Sequence, residues 1–358
     1  MLPVAERLVC AIMAGGSGTR FWPLSRKGEP KQLLHFFGDQ TLLRATVDRV
    51  AELCPPSRRL VVTAEHLVEA VLKVLPELQA GQVMGEPAPR NTAPCMAIAA
   101  MAARQLASDA ILVLLPADHW VADAAAFRQA LLTAGAHADA GHIVTLGVTP
   151  TQPETGYGYI ELGQAVADGV ADVGRFVEKP NLDMALQYLA GGRHLWNAGV
   201  FVLRADRALA ALDRHVPAIG KELGELQHHA FGSEAWRAVL KVAFPHCPNI
   251  SIDYGVMEHE TAIRVVRLAA GWSDVGTWHS ILGLRPEGEA NFTYGPVQPI
   301  DCHQCVLISK GPYVAAVGLE NMAVVVTDDA TLVIPLDRSQ DVRRVVAELS
   351  ARGRADLL

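Results

Sequence analysis

Residues 8–20 read LVCAIMAGGSGTR, seven apolar residues running straight into a glycine-rich turn. The run ends abruptly in Gly15-Gly16, so Leu8–Ala14 reads as a buried strand that delivers the chain to a loop at its carboxyl end. The same run resembles the core of a signal peptide, but Glu6 stands beside Arg7 ahead of it, and the strand is the better reading. Three glycines let a backbone approach a phosphate closely and turn its amides inward. Arg20 ends the turn, and Pro30-Lys31 follows shortly. The turn is neither of the two familiar phosphate loops, lacking both a GK[ST] ending and the GxGxxG spacing.

Similar apolar runs recur at Arg59–Thr63, Ala110–Leu115, His142–Val148, Val173–Val177, Ala198–Leu203 and Ile263–Leu268. Between most of them, as at Thr41–Leu53, Ala64–Leu75 and Asp123–Ala140, apolar residues fall three and four apart. Strands alternating with helices predict an α/β, Rossmann-like domain with a mostly parallel sheet, whose ligands sit at the carboxyl ends of the strands. After about Trp278 the texture changes. Short β-rich pieces at Cys305–Ser309, Tyr313–Val317, Ala323–Thr327 and Thr331–Ile334 are separated by Gly, Asp and Asn, with no crossover helix. They predict a small β-solenoid, left-handed β-helix-like. A last helix, Asp341–Ala351, carries Val342, Val345, Val346 and Leu349 on one face. The expected division is a catalytic domain at 1–284 and a solenoid-like domain with its helix at 285–358.

The 358 residues, 50% hydrophobic and 19% charged, suffice for one large domain and a smaller companion. A net charge of -7 argues against nucleic acid as a partner, because neutralising its phosphates needs a basic face. The longest apolar run, Pro94–Ala103, falls short of the roughly 20 residues that span a bilayer, so no membrane association is expected. Six scattered cysteines read as reduced core thiols and point to the cytoplasm. Cys302-His303-Gln304-Cys305 has no second ligand pair at zinc spacing, and His228-His229 reads as surface.

Chemistry-bearing blocks follow in order: AGGSGTRFWPLSRKGEPKQLL at 14–34, GEPAPRNTAP at 85–94, LLPADH at 114–119, TGYGYIE at 155–161, RFVEKP at 175–180, WNAGVF at 196–201, SIDYGVME at 251–258 and GWSDVGTW at 271–278. Two aspartates from distant segments, Asp118 and Asp274, suit Mg²⁺, which prefers a few carboxylates and completes its shell with water and phosphate. Asn91 or Thr92 reads as the cap of a helix that has Pro94 in its first turn. Taken together the blocks resemble the sugar nucleotidyltransferase family, in particular its guanylyl-transferring branch that acts on mannose 1-phosphate. FVEKP is the most specific of them.

That resemblance implies a function for each block. Ala14, Gly15, Gly16, Gly18, Thr19, Glu86, Arg90, Asn91, Thr92, Pro116 and Ala117 would border the nucleotide, with Arg20 and Lys31 on its triphosphate. Gly158, Glu178, Asn197 and Gly199 would take the sugar and Lys179 its phosphate, as the third catalytic cation. Asp118 and Asp274 would hold Mg²⁺, and Asp253 would play a supporting role. The implied reaction transfers GMP from GTP to α-D-mannose 1-phosphate, giving GDP-mannose and pyrophosphate. The alternatives are a pyrophosphorylase of another base or sugar and, less favoured, a non-catalytic regulatory member of the fold. With the sequence ending at Leu358 no fused isomerase barrel is expected, and its β unit predicts a homodimer. Phe21 stands where Leu is usual and His259 where Lys is expected; neither is expected to touch a proposed ligand.

Overall fold

A computed structural model describes residues 2–16, 18–36, 38 and 40–358. Ser17, in the glycine-rich turn, lies outside the described residues. The chain divides into two compact units that are not contiguous in sequence. The first comprises Met1–Gly15, Thr46–Ala117 and Val121–Trp272; the second comprises Gly16–Ala45, Asp118–Trp120 and Ser273–Leu358.

Up to residue 273 the strands are β1 (Leu8–Ala14), β2 (Arg59–Ala64), β3 (Val83–Glu86), β4 (Ile111–Pro116), β5 (Trp120–Val121), β6 (Ile143–Val148), β7 (Tyr159–Ala167), β8 (Val170–Val177), β9 (His194–Arg204), β10 (Ile263–Arg267) and β11 (Trp272–Ser273). In the first unit nine of them build one sheet in the order β3-β2-β1-β4-β9-β6-β10-β8-β7. Pairing is parallel from β3 through β2 and β1 to β4, and again between β6 and β10. It is antiparallel where β9 lies between β4 and β6 and where the β7–β8 hairpin closes the far edge. The hairpin turns at Asp168-Gly169, Gly169 having φ 66° as such a turn requires.

The helix Thr92–Leu106 is buried along Ala93–Ala103. Its alanines let it lie close against neighbours, and Ala205, Ala208, Ala211 and Leu212 of the helix Ala205–His215 share its core. No helix among the described residues is long and apolar enough to cross a membrane.

The second unit holds β12 (Phe292–Tyr294), β13 (Val297–Ile300), β14 (Val306–Ser309), β15 (Val314–Val317), β16 (Met322–Val326) and β17 (Thr331–Pro335). Strands β12, β14 and β16 stack in parallel, as do β13 and β15, in the manner of solenoid coils; β17 turns back antiparallel on β16. Buried Asn291 fixes one coil, donating to the Cys302 carbonyl at 2.7 Å and accepting from the Cys305 amide at 2.9 Å. The core beneath these strands also contains Phe21, Trp22, Leu24, Leu34 and Phe36 from the segment after the glycine-rich turn, and Trp278 and Ile281 from the short helix Trp278–Leu282. Phe21 meets Phe36 and Trp278 edge to face at 5.1 and 4.9 Å. The final helix, Val342–Ala351, lays Val342, Val345, Val346 and Leu349 on the same core. This unit still leaves Ile300, Tyr313, Val317 and Val333 exposed.

Candidate active site

In the second unit, Lys31 opens a short 3₁₀ turn, Lys31–Leu33, behind Pro30. Its stem is buried, and its ammonium donates to Asp118 Oδ2 at 2.8 Å and to the Asp274 main-chain carbonyl at 2.6 Å. One cation therefore joins the two segments that carry the aspartates. Burial alone would push the Asp118 carboxyl up, but the Lys31 charge, neighbouring His119 and the Lys31 hydrogen bond outweigh it and hold the group below the usual carboxylate range. Asp274 Oδ1 accepts from the Gly276 amide at 2.8 Å. A Cβ on Gly276 would fall 2.3 Å from Asp274 Oδ2, so a side chain there would push the carboxylate aside. Between them Val275, a buried β-branched residue, has φ 47°. Such strain persists only where the surroundings impose it, and it often marks a functional turn.

Gly18 has φ 58°, and a Cβ there would lie 2.6 Å from Lys31 Cβ and 2.7 Å from Lys31 N. The glycine is needed to let the Lys31 backbone in, a reason the turn's own sequence does not disclose. Gly16 is exposed with φ 97°, and Thr19 and Arg20 lie in the one-turn 3₁₀ segment Thr19–Phe21. Phe21 does touch a proposed ligand, contrary to the sequence expectation: the Lys31 ammonium lies 5.6 Å from its ring centroid. Its position in the core turns the ring face toward the lysine.

In the first unit, the carboxyl ends of β1, β3 and β4 carry Ala14, Glu86 and Pro116. The Ala14 carbonyl accepts from Thr63 Oγ1 at 3.0 Å, and the Ala117 amide donates to the Met13 carbonyl at 3.0 Å. Gly15 faces Glu86, whose Oε2 lies 3.5 Å from where a Cβ would stand. Burial pushes the Glu86 carboxyl up to about 7. Asn91, at φ 65°, caps the helix Thr92–Leu106 by accepting from Thr92 N at 3.0 Å, and Thr92 Oγ1 accepts from Ile252 N at 2.9 Å. Arg90 donates from Nε at 2.9 Å, and again from Nη2, to the Pro245 carbonyl. These three side chains hold the helix start and its neighbouring loop.

The third cluster is also in the first unit. Gly158 lies so close to Glu178 that a Cβ would sit 2.7 Å from Oε2, and its carbonyl accepts from Asn197 N at 2.8 Å. Buried Asn197 accepts from Thr145 Oγ1 at 2.8 Å and from Gly199 N at 3.1 Å, and donates to Asp253 Oδ1 at 3.0 Å. Gly199 has φ 66°. Glu178 pairs with Lys179, and its amide donates to Glu258 Oε1 at 3.2 Å. Lys179 is left-handed at φ 48° with its side chain 56% exposed, so the ammonium faces water while its carboxylate partner is buried. Burial, and then the Glu178 charge, push Asp253 up to about 7. Asp253 opens a single turn of π-helix, Asp253–Met257. Tyr157 packs edge to face on Trp196 and Trp272 beside this cluster, at 5.2 and 5.5 Å.

The structure thus groups Gly18, Lys31, Asp118 and Asp274; Gly15 and Glu86; and Gly158, Glu178, Lys179, Asn197 and Asp253. Sequence reasoning misses Thr145, Glu258 and the Tyr157 cluster. The four cysteines outside the solenoid and Cys302 and Cys305 within it are all buried and free, and His229 pairs with Glu225 at 3.4 Å.

The family model for nucleotidyl transferase matches residues 9–289, and that for the MannoseP isomerase/GMP-like beta-helix domain matches 296–349. The xanthan biosynthesis protein XanB of Xanthomonas campestris pv. campestris is 42% identical over 348 residues, 96% of this chain and 74% of that protein. Mannose-1-phosphate guanylyltransferase of Escherichia coli K12 is 40% identical, over 98% of this chain and 75% of its own. The crystal structure named as mannose-1-phosphate geranyltransferase of Thermus thermophilus superposes with a TM-score of 0.87 at 36% identity, covering 96% of this chain and 99% of that one. The chain belongs to the nucleotidyl transferase family and, within it, to the group that contains the mannose-1-phosphate guanylyltransferases.

Proposed function

We propose that the chain transfers GMP from GTP to α-D-mannose 1-phosphate, releasing pyrophosphate and forming GDP-mannose. The observation that carries this reading is the cluster in which the RFVEKP and WNAGVF blocks place Glu178, Lys179 and Asn197 around Gly158, in a chain whose relatives bear that activity in their names. The attacking group is an oxygen of the sugar phosphate, in line with the departing pyrophosphate at the α-phosphorus. A phosphate monoester has its second pKa near ~6 and is largely dianionic at neutral pH, so the reaction needs no general base. It needs alignment and cancellation of charge.

Lys179 would meet the sugar phosphate, while Glu178 and Asn197 bind sugar hydroxyls. Arg20 and Lys31 would meet the triphosphate. Asp118 and Asp274 fit Mg²⁺ in donor chemistry: both offer carboxylate oxygens, and Lys31 keeps Asp118 ionised. Bound there, the metal would supply neutralisation of the α-phosphate. The buried free thiols favour a reducing, cytoplasmic setting. Assembly as a homodimer remains part of the proposal.

Pyrophosphate release measured across nucleotide and sugar-phosphate pairs tests the assignment. The rate should be highest with GTP, mannose 1-phosphate and Mg²⁺; faster turnover of UTP or dTTP with glucose 1-phosphate overturns it. A second measurement isolates the sugar-phosphate cation. Lys179→Ala should raise KM for mannose 1-phosphate roughly ten- to hundredfold, the scale of ~1.5–3 kcal/mol for a hydrogen bond to a charged group, and leave KM for GTP nearly unchanged. Equal effects on both substrates refute that role.

A further inference from the structure

Between Arg20 and Lys31 the chain makes an excursion, residues 22–29, that carries none of the proposed ligands. Its contacts are concentrated on two parts of the second unit. Trp22 Nε1 donates to the Leu357 carbonyl at 2.8 Å, and the Lys27 amide donates to the Leu358 carbonyl at 3.1 Å. Arg26 Nη2 donates to Asp329 Oδ1 at 2.9 Å, in the turn between β16 and β17, and Thr327 Oγ1 donates to the same oxygen at 2.8 Å. The Arg26 guanidinium also lies 5.7 Å from the Trp22 ring centroid and donates to the Pro23 carbonyl.

On its inner side the excursion grips the glycine-rich turn. Ser25 Oγ donates to the Gly18 carbonyl at 2.8 Å, and the amides of Leu24 and Ser25 donate to the Phe21 carbonyl at 2.8 and 3.0 Å. A paired set of main-chain bonds between Arg26 and Glu29, at 3.0 and 3.1 Å, closes the excursion just before Pro30-Lys31.

We infer that the β16–β17 turn and the strap of residues 355–358 position the Gly18–Lys31 loop for the nucleoside triphosphate, with Trp22 and Arg26 as the positioning residues. A loop left to water samples many conformers, and ordering it on binding costs affinity. Tied at Trp22, Arg26 and Lys27, it is ordered before the nucleotide arrives. This gives the solenoid a part in nucleotide affinity although it holds no ligand of its own. The inference rests on the proposal that Arg20 and Lys31 bind the triphosphate.

Trp22→Phe keeps an aromatic ring in the core and removes the indole N–H together with part of the bicycle. Asp329→Asn removes the charge opposite Arg26 and keeps the shape. Each should raise KM for GTP about fivefold, the scale of one net hydrogen bond, with KM for mannose 1-phosphate unchanged. Combining Trp22→Phe with removal of residues 355–358 should add little to the effect of that removal, since both break the same bond. Unchanged KM for GTP in both single variants, or equal rises for both substrates, overturns the positioning role. Lys31→Met checks the premise separately: if it leaves GTP kinetics intact, the triphosphate assignment itself fails, whatever the strap variants do.

Discussion

Asp118→Asn should lower kcat by about 10²- to 10³-fold while the protein stays folded, the scale lost when one preorganised electrostatic element leaves a reacting centre. Asparagine has the shape of aspartate, and its Oδ1 still accepts from Lys31. The charge is what disappears. Both oxygens that Lys31 then meets, the amide oxygen and the Asp274 carbonyl at 2.6 Å, are neutral. The folded-state pKa of Asp118 is depressed, so its ionised form contributes stability above the unfolded pKa of about 3.9, and that contribution is lost only as pH falls through the lower folded value. At neutral pH the variant forfeits it, and because Asp118 is 35% exposed the fall in Tm should be small. Asp274→Asn should behave alike, its Oδ1 bond to Gly276 N surviving the change. Pyrophosphate release during a Mg²⁺ titration checks both. Near-normal turnover of either variant at saturating Mg²⁺ removes that residue from the proposed metal pair.

Strand β1 and its turn are legible because an apolar run that stops dead at two glycines has few other readings, and the solenoid is legible from short β pieces broken by Gly, Asp and Asn. What local pattern cannot supply is distance along the chain. Phe21, Trp278 and Phe292 share one core across more than two hundred residues, so the signature segment falls in the same compact unit as the solenoid. Thr145 sits inside a buried β6 run and shows no sign of its bond to Asn197, fifty-two residues later. Gly18 is recognisable as a glycine of a phosphate turn, yet its close neighbour is Lys31, thirteen residues on. Asp168-Gly169 is a local hairpin signal that the expected strands leave out, and there β7 turns antiparallel onto β8.

The same contrast separates Asn91, Thr92 and Arg90 from Glu86 within one block. The first three spend hydrogen bonds on Thr92 N, Ile252 N and the Pro245 carbonyl, which is work within the fold. Glu86 stands at the carboxyl end of β3 facing Gly15, with a carboxyl pKa that burial pushes up to about 7. An ionised carboxylate offers two acceptor oxygens side by side, and guanine presents N1–H and an N2 amine side by side. Glu86 is therefore the proposed reader of the base.

Glu86→Gln replaces one of those acceptors with a donor. It should raise KM for GTP roughly ten- to hundredfold, the scale of ~1–3 kcal/mol for a bidentate base contact. The sign of the pH effect follows from the raised pKa: the accepting, ionised form dominates above about 7, so GTP affinity of the unaltered protein should weaken as pH falls through that value. Binding data for GTP and ITP, which lacks the N2 amine, at about pH 6 and about pH 8 give the test. The unaltered protein should prefer GTP most strongly at the higher pH, and in Glu86→Gln both the preference and its pH dependence should collapse. A variant that still distinguishes GTP from ITP as the parent does would show that another group reads the base.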